Sequence, residues 1–177
     1  QLRVSAREIA AETGLSFELR HPDGLHLPPF GAGSPIDLRL PNGTVRQYSL
    51  GNDPAERSRY EIAILLHPAS RGGSRSAHTD IALRDLIAVG APRNLFPLYP
   101  AEHSILFAGG IGVTPLLAMA EQLSREGASF ALHCSNRSAA RIPFRERIEA
   151  SAFADRTHHH LDDTPHSRLD AAAVLAR

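Results

Sequence analysis

Short runs with a period of two dominate the first hundred residues. Leu2 to Glu12 and Leu15 to His21 read as strands joined at Thr13-Gly14, and Pro22-Asp23-Gly24 follows as a turn. Leu27 to Gly33 reads as loop. Ile36-Asp37-Leu38-Arg39-Leu40 then alternates apolar and polar, and Pro41-Asn42-Gly43 turns the chain into Val45 to Leu50, a hairpin signal. Tyr60 to Leu66 and Asp85 to Ala91 supply two more strands, with a short helix between Ser74 and Leu83. Six short strands and regular turns predict a small antiparallel β-barrel over residues 1–99.

From Ser104 the pattern changes. Ile105-Leu106-Phe107-Ala108 is continuously apolar, as in a strand buried on both faces. A helix from Pro115 to Glu126, a strand Ser129 to His133, a helix around Pro143 to Ala152, a strand Thr157 to Leu161 and a last helix Leu169 to Ala176 follow. Strands alternating with helices predict a parallel α/β domain over residues 100–177. Three parallel strands form only one mononucleotide-binding half, and the apolar strand at Ile105 to Ala108 would be left as a sheet edge. The expectation is a domain incomplete at its C-terminus, with further strands beyond Arg177.

Composition narrows the chemistry. Hydrophobic residues make up 42% of the 177 and charged residues 21%, an ordinary globular balance. The 19 basic and 19 acidic side chains cancel, so no positive field points to nucleic acid or an anionic membrane. All the basic residues other than histidine are Arg; without Lys, Schiff-base chemistry and the P-loop lysine are excluded. One cysteine, Cys134, excludes an intrachain disulfide, a cysteine-rich zinc site and a self-contained iron–sulfur cluster. No apolar run approaches the ~18 residues of a membrane helix, and the N-terminus carries no signal-peptide pattern. A cytoplasmic location is the default expectation, and, since the sole Met is Met119, so is a trimmed piece of a longer chain.

Three local motifs can hold a ligand. Gly109-Gly110-Ile111-Gly112-Val113-Thr114-Pro115 follows a buried strand and opens a helix, where a phosphate can meet free backbone N–H groups. Thr114 is expected as its N-cap, with Pro115 at the first helical position; a plain strand-to-helix turn has the same spacing. Arg46-Gln47-Tyr48-Ser49-Leu50 lies on a strand, with Arg46 and Tyr48 on one face, suited to a flat heteroaromatic bearing a phosphate or simply to an exposed sheet face. Arg71-Gly72-Gly73-Ser74 precedes a helix as an anion nest or as a flexible loop capped by Ser74. His158-His159-His160 alternates faces on its strand, so no metal is expected there, and Cys134 reads as a small core residue.

Taken in order, Arg-x-Tyr-Ser, Gly-Gly-Ser and Gly-Gly-x-Gly-x-Thr-Pro resemble the ferredoxin–NADP reductase superfamily. Gly51-Asn52-Asp53-Pro54, Arg71-Gly72-Gly73-Ser74-Arg75-Ser76 and Ala91-Pro92-Arg93-Asn94-Leu95-Phe96-Pro97-Leu98 make the chain most similar to the phthalate dioxygenase reductase and vanillate demethylase reductase family. The resemblance implies an FMN-binding barrel followed by an NAD(P)-binding domain. It places Arg46, Tyr48, Ser49 and Leu50 at the flavin, with Tyr48 along the ring and Ser49 near the hydride-accepting N5, as the catalytic pair. Arg71, Gly72, Gly73 and Ser74 would hold the FMN phosphate. Gly109, Gly110, Gly112 and Thr114 would shape the nicotinamide dinucleotide site, and Ser135 and Arg137 the adenosine ribose. Arg137 can attract a 2′-phosphate, so NADPH stays open, although the family points to NADH.

The implied reaction takes a hydride from NADH to FMN and releases electrons singly to a ferredoxin-like domain with a two-iron, two-sulfur cluster, then to a terminal oxygenase. That cluster domain and the family's Cys-Gly-Pro strand are not in these 177 residues. The departure leaves two other readings open: a stand-alone NAD(P)H-dependent flavin or ferric reductase, and a catalytically silent flavin- or nucleotide-binding module.

Overall fold

Two adjoining parts, one antiparallel and one parallel, make up the computed structural model, which describes residues 1–176. In the first, β1 (Leu2–Ala11) folds back on β2 (Gly14–Arg20), β5 (Tyr60–Leu65) pairs with β2, and β6 (Leu86–Ile87) pairs with β1. The hairpin β3 (Pro35–Arg39) and β4 (Val45–Ser49) forms a separate ribbon, with Asp37 opposite Gln47. Single bridges, Leu38 with Val89 and Leu50 with Ile62, join ribbon to sheet and curl the strands toward a barrel.

The segment expected as a strand from Asp85 to Ala91 is paired only at Leu86–Ile87 as regular sheet. It changes partners: after β6 leaves β1, Arg39 N–H donates to Ala88 O and Gly90 N–H to Asp37 O. Crossing from one sheet to the other breaks its ladder and closes the barrel wall. Inward positions of the alternating strands, among them Val4, Phe17, Leu19, Ile36, Leu38 and Ile62, fill the interior, joined by Ala77 from α1 (Gly73–Asp80). Each large apolar side chain buried there contributes about 1.5–3 kcal/mol.

In the second part β7 (Ser104–Gly109), β8 (Phe130–Asn136) and β9 (Thr157–Leu161) are parallel in the order β7-β8-β9. A 3-10 turn over Gly110–Gly112 leads into α2 (Val113–Arg125), whose stripe Val113, Leu116, Leu117, Ala120 and Leu123 packs with Leu106, Ala108, Leu132 and Cys134. The short α3 (Arg145–Glu149) and α4 (Ala171–Leu175) complete the chain. α3 is half the length expected because Phe144 precedes it in a left-handed conformation, φ 56°. Ala10, Ala32 and Ala63 of the antiparallel part enter the core of the parallel part, and their small side chains allow the close approach.

Candidate functional site

Strand β4 and the start of α1 meet along one edge of the antiparallel part. Asn42, in the β3–β4 turn, donates from Nδ2 to Gly72 O at 3.1 Å and bonds Ser76 Oγ through its own N–H at 3.4 Å. Gly72 has φ 96°, a left-handed backbone that glycine adopts without strain, and it is the N-cap of α1. Ser74, the cap in the flexible-loop reading, is the second helical residue, and its hydroxyl accepts from His67 N–H at 3.2 Å. Gly72 offers the first turn no side-chain cap, although Arg75 N–H donates to Ser70 Oγ at 3.4 Å; uncapped N–H groups at a helix start are what anion sites use.

Arg46 lies across this turn. A Cβ on Gly73 would stand 3.0 Å from Arg46 Nε and 3.2 Å from its Cγ, so the absent side chain is what admits the guanidinium. Tyr48, two residues along, is half-buried; burial raises its phenol pKa and the Arg46 charge offsets only part of the rise. Ser49 is partly buried at the end of β4, and Arg71 is exposed beside the turn. Leu50 departs from the others: it is wholly buried in the barrel core, and its N–H donates to Ser34 O at 3.0 Å. Its side chain is therefore a packing group, with only backbone to offer a ligand.

The second constellation is a cleft of about 620 Å³ between the two parts. Gly110 and Ile111 form its floor, Ser135, Asn136 and Arg137 come from the end of β8, and Asp162 from the end of β9. The opposite wall is the Ala11–Thr13 turn and residues Leu65–Ala69. Gly110, Ser135 and Arg137, named from sequence, thus converge. Gly109 and Gly112 lie on the same loop, and added Cβ atoms there would meet nothing within 4 Å. Thr114 does not cap α2. Gly112 is the N-cap, and Thr114, 3% exposed, donates from Oγ1 back to Ile111 O at 2.8 Å. The 3-10 turn starts the helical winding earlier than the residue types suggested.

Sequence reasoning missed Asn42, Asn136, Arg141 and Asp162. Asn42-Gly43 was legible only as a turn, whereas its amide ties two distant segments together. Arg141 Nε pairs with Glu12 Oε2 at 2.7 Å across the cleft. Asn136 is buried, with Oδ1 lacking a hydrogen-bond partner. Cys134 is buried in the sheet, and burial pushes its thiol up to about 12, so it is a core residue. His158 and His160 share a face with His133, their rings 4.7 and 5.2 Å from it and nearly parallel, while His159 points the other way. Among the described residues no three His, Cys, Asp or Glu side chains converge as metal ligands, and no helix is long and apolar enough to cross a membrane.

No family model matches the chain. It is 53% identical over 174 residues to a vanillate O-demethylase oxidoreductase of Pseudomonas putida, a match covering 98% of this chain and 55% of that protein. A phthalate 4,5-dioxygenase oxygenase reductase subunit of Pseudomonas putida is 40% identical over 163 residues, covering 91% and 50%. Among solved structures, phthalate dioxygenase reductase, described as a modular structure for electron transfer from pyridine nucleotides to 2Fe-2S, superimposes with a TM-score of 0.94 at 39% identity, covering 99% of this chain and 56% of that one. The chain spans about half the length of the curated relatives it matches.

Proposed function

We infer that this chain, which belongs to the phthalate dioxygenase reductase and vanillate O-demethylase oxidoreductase family, is the flavin- and nicotinamide-handling part of a reductase serving an oxygenase or O-demethylase. Residues 1–99 form the FMN-binding part in this reading and residues 100–177 the nicotinamide-binding part, with Arg177 outside the described residues. The observation that carries it is the junction of the two constellations. Gly51, one residue beyond Leu50, packs so closely on α2 that a Cβ there would stand 3.0 Å from Thr114 Cγ2. A strand suited to a flavin and a loop suited to a dinucleotide therefore adjoin.

The residues fit FMN. The turn at Gly72-Gly73-Ser74 gives one compact anion cradle with Arg46 laid over it, and one cradle matches one phosphate better than it matches a pyrophosphate. Tyr48, half-buried beside Arg46, offers a ring face to the heteroaromatic, and Ser49 an adjacent hydroxyl. FMN, when bound, supplies the conversion of a two-electron hydride into single electrons. What the protein contributes is position and dryness: the barrel edge orients one partner, and the cleft with Gly110, Ser135 and Arg137 orients NADH. No side chain need move a proton. A two-iron, two-sulfur centre does not fit this chain, because one buried Cys cannot supply four thiolate ligands. In this reading the cluster belongs to another part of the full protein, the partner is the oxygenase, and the location is cytoplasmic.

The test is the visible spectrum of the purified protein, recorded before and after NADH is added without oxygen. Flavin bands near ~450 nm that bleach on addition support the reading. Bands that persist disprove nicotinamide use by this chain. No bands after incubation with FMN overturn the flavin assignment.

A further inference from the structure

One side chain ties the antiparallel part to the parallel part through three acceptors. Arg147 sits in the middle of α3 and is 25% exposed. Its Nη1 donates to Glu61 Oε2 on β5. Its Nη2 donates to the carbonyl oxygen of Gly51 at 2.8 Å and lies 3.3 Å from Glu121 Oε1 on α2. Gly51 is held from its other side as well, since its N–H donates to Glu61 O at 2.8 Å. The single peptide that follows strand β4 is thus gripped by β5 and α3 while it rests on Thr114 of α2.

Other ion pairs also cross between the two parts, and they differ in kind. Arg125 meets Asp53 at 3.3 Å and Arg141 meets Glu12 at 2.7 Å, with both guanidinium groups more than 40% exposed and only side chains engaged. Screened pairs of that sort contribute little and fix little. Arg147 instead bonds backbone at the exit of the strand that bears Tyr48 and Ser49. Its planar fork of donors serves three acceptors at once, on β5, on α2 and in the loop after β4, a geometry that an ammonium on a flexible stem does not reproduce.

We propose that Arg147 is a positioning residue for hydride transfer: by holding Gly51 O between Glu61 and Glu121 it sets the separation of the β4 end from the start of α2. The proposal rests on the flavin and nicotinamide reading above. Hydride transfer demands reacting atoms about 3–3.5 Å apart, and a displacement near 1 Å is enough to cost about a hundredfold in rate. A strand end free to drift from α2 places the two cofactor sites at a distribution of separations.

The experiment uses the full-length reductase loaded with FMN, as wild type, Arg147→Lys, Arg147→Ala and Arg125→Ala. Flavin bleaching after anaerobic rapid mixing with NADH gives a limiting rate and an NADH dissociation constant; FMN affinity is titrated separately. For Arg147→Lys the limiting rate is expected to fall on the order of tenfold, and for Arg147→Ala toward a hundredfold. Both dissociation constants should stay within about twofold, because no ligand-contacting group has changed. Deuterium at the transferred position of NADH should slow the variants further, identifying the slowed step as hydride transfer. Arg125→Ala should keep the wild-type limiting rate. Should Arg147→Ala fail to fold, Arg147→Lys decides. A wild-type limiting rate in flavin-loaded Arg147→Lys overturns the proposal, as does an equal loss in Arg125→Ala. A wild-type flavin that NADH does not bleach overturns the functional reading itself, and the proposal falls with it.

Discussion

At Gly73 an added Cβ would lie 3.0 Å from Arg46 Nε, whereas at Gly109, Gly110 and Gly112 it would meet nothing within 4 Å. Both motifs are glycine turns at the start of a helix, and both helices begin without a side-chain cap. Their surroundings are opposite. The turn before α1 is closed by the protein's own groups, with Arg46 over Gly73 and Asn42 on Gly72 O. The loop before α2 opens onto the cleft. A glycine in a crowded turn answers to the fold, and a glycine in open space leaves room for something from outside.

Gly73→Ala strikes the crowded turn, and its effect should be the largest. The new methyl displaces Arg46 and disturbs the cradle, so FMN affinity should fall about 10- to 100-fold, the worth of one hydrogen bond to a charged group. Fluorescence titration of FMN measures this. Unchanged affinity would mean that the cradle does not hold the phosphate. Gly109→Ala is the converse test. Gly109 has extended backbone, φ −119° and ψ 117°, and a free Cβ position, so the urea midpoint should move by less than about 0.5 kcal/mol in stability. NADH affinity should nonetheless fall severalfold. A large stability loss would show the loop to be packed rather than open.

A third measurement asks whether openness at the loop means softness beneath it. Cys134, the residue before Ser135 on β8, is 2% exposed with its thiol pushed up to about 12 by burial. Iodoacetamide at pH 8 should leave it unmodified in the native protein and label it after unfolding. Rapid native labelling would recast the open loop as a locally unfolding region.

The smallest effect concerns His159. Burial, and next the charge of Arg145, lower its pKa from 6.5. Its Nδ1 is buried without a hydrogen-bond partner. The folded protein therefore keeps this imidazole neutral where the unfolded chain takes up a proton. Its contribution is constant above about pH 6.5 and is lost as pH falls below that value. The melting temperature should drop between pH 7.5 and 5.5, and His159→Gln should flatten the drop. Glu18 acts in a lower window. Burial raises its pKa, but hydrogen bonds from Arg20 and Ser5 and the nearby guanidinium charges bring it below 4.5. Its stabilisation is lost only as pH falls below that ordinary value.

Local signals read well wherever one face of an element is buried. The strands at Leu2, Gly14, Pro35, Val45 and Tyr60 lie within a residue or two of their expected places, because alternation is a direct imprint of a one-sided core. Helix starts read less well. Ser74 and Thr114 are good capping types, yet glycines cap both helices; a side-chain cap contributes only about 1 kcal/mol, which packing of the surrounding turn overrides. Leu50 belongs to the ligand motif by position, but the bridge to Ile62 turns its side chain into the core and leaves only its backbone for a ligand.

The order of elements and the change from antiparallel to parallel sheet were determined by the amino-acid sequence, since each follows from periodicity over a few residues, while the residues of the candidate sites came from local motifs and, for Ser135 and Arg137, from the family resemblance alone. Tertiary structure alone decided what joins them. Arg147 and Gly51 are 96 positions apart, Asn42 and Gly72 are 30 apart, and neither pair has a local signature. A period records which face of an element is buried; it does not record which distant carbonyl a guanidinium on that element will reach.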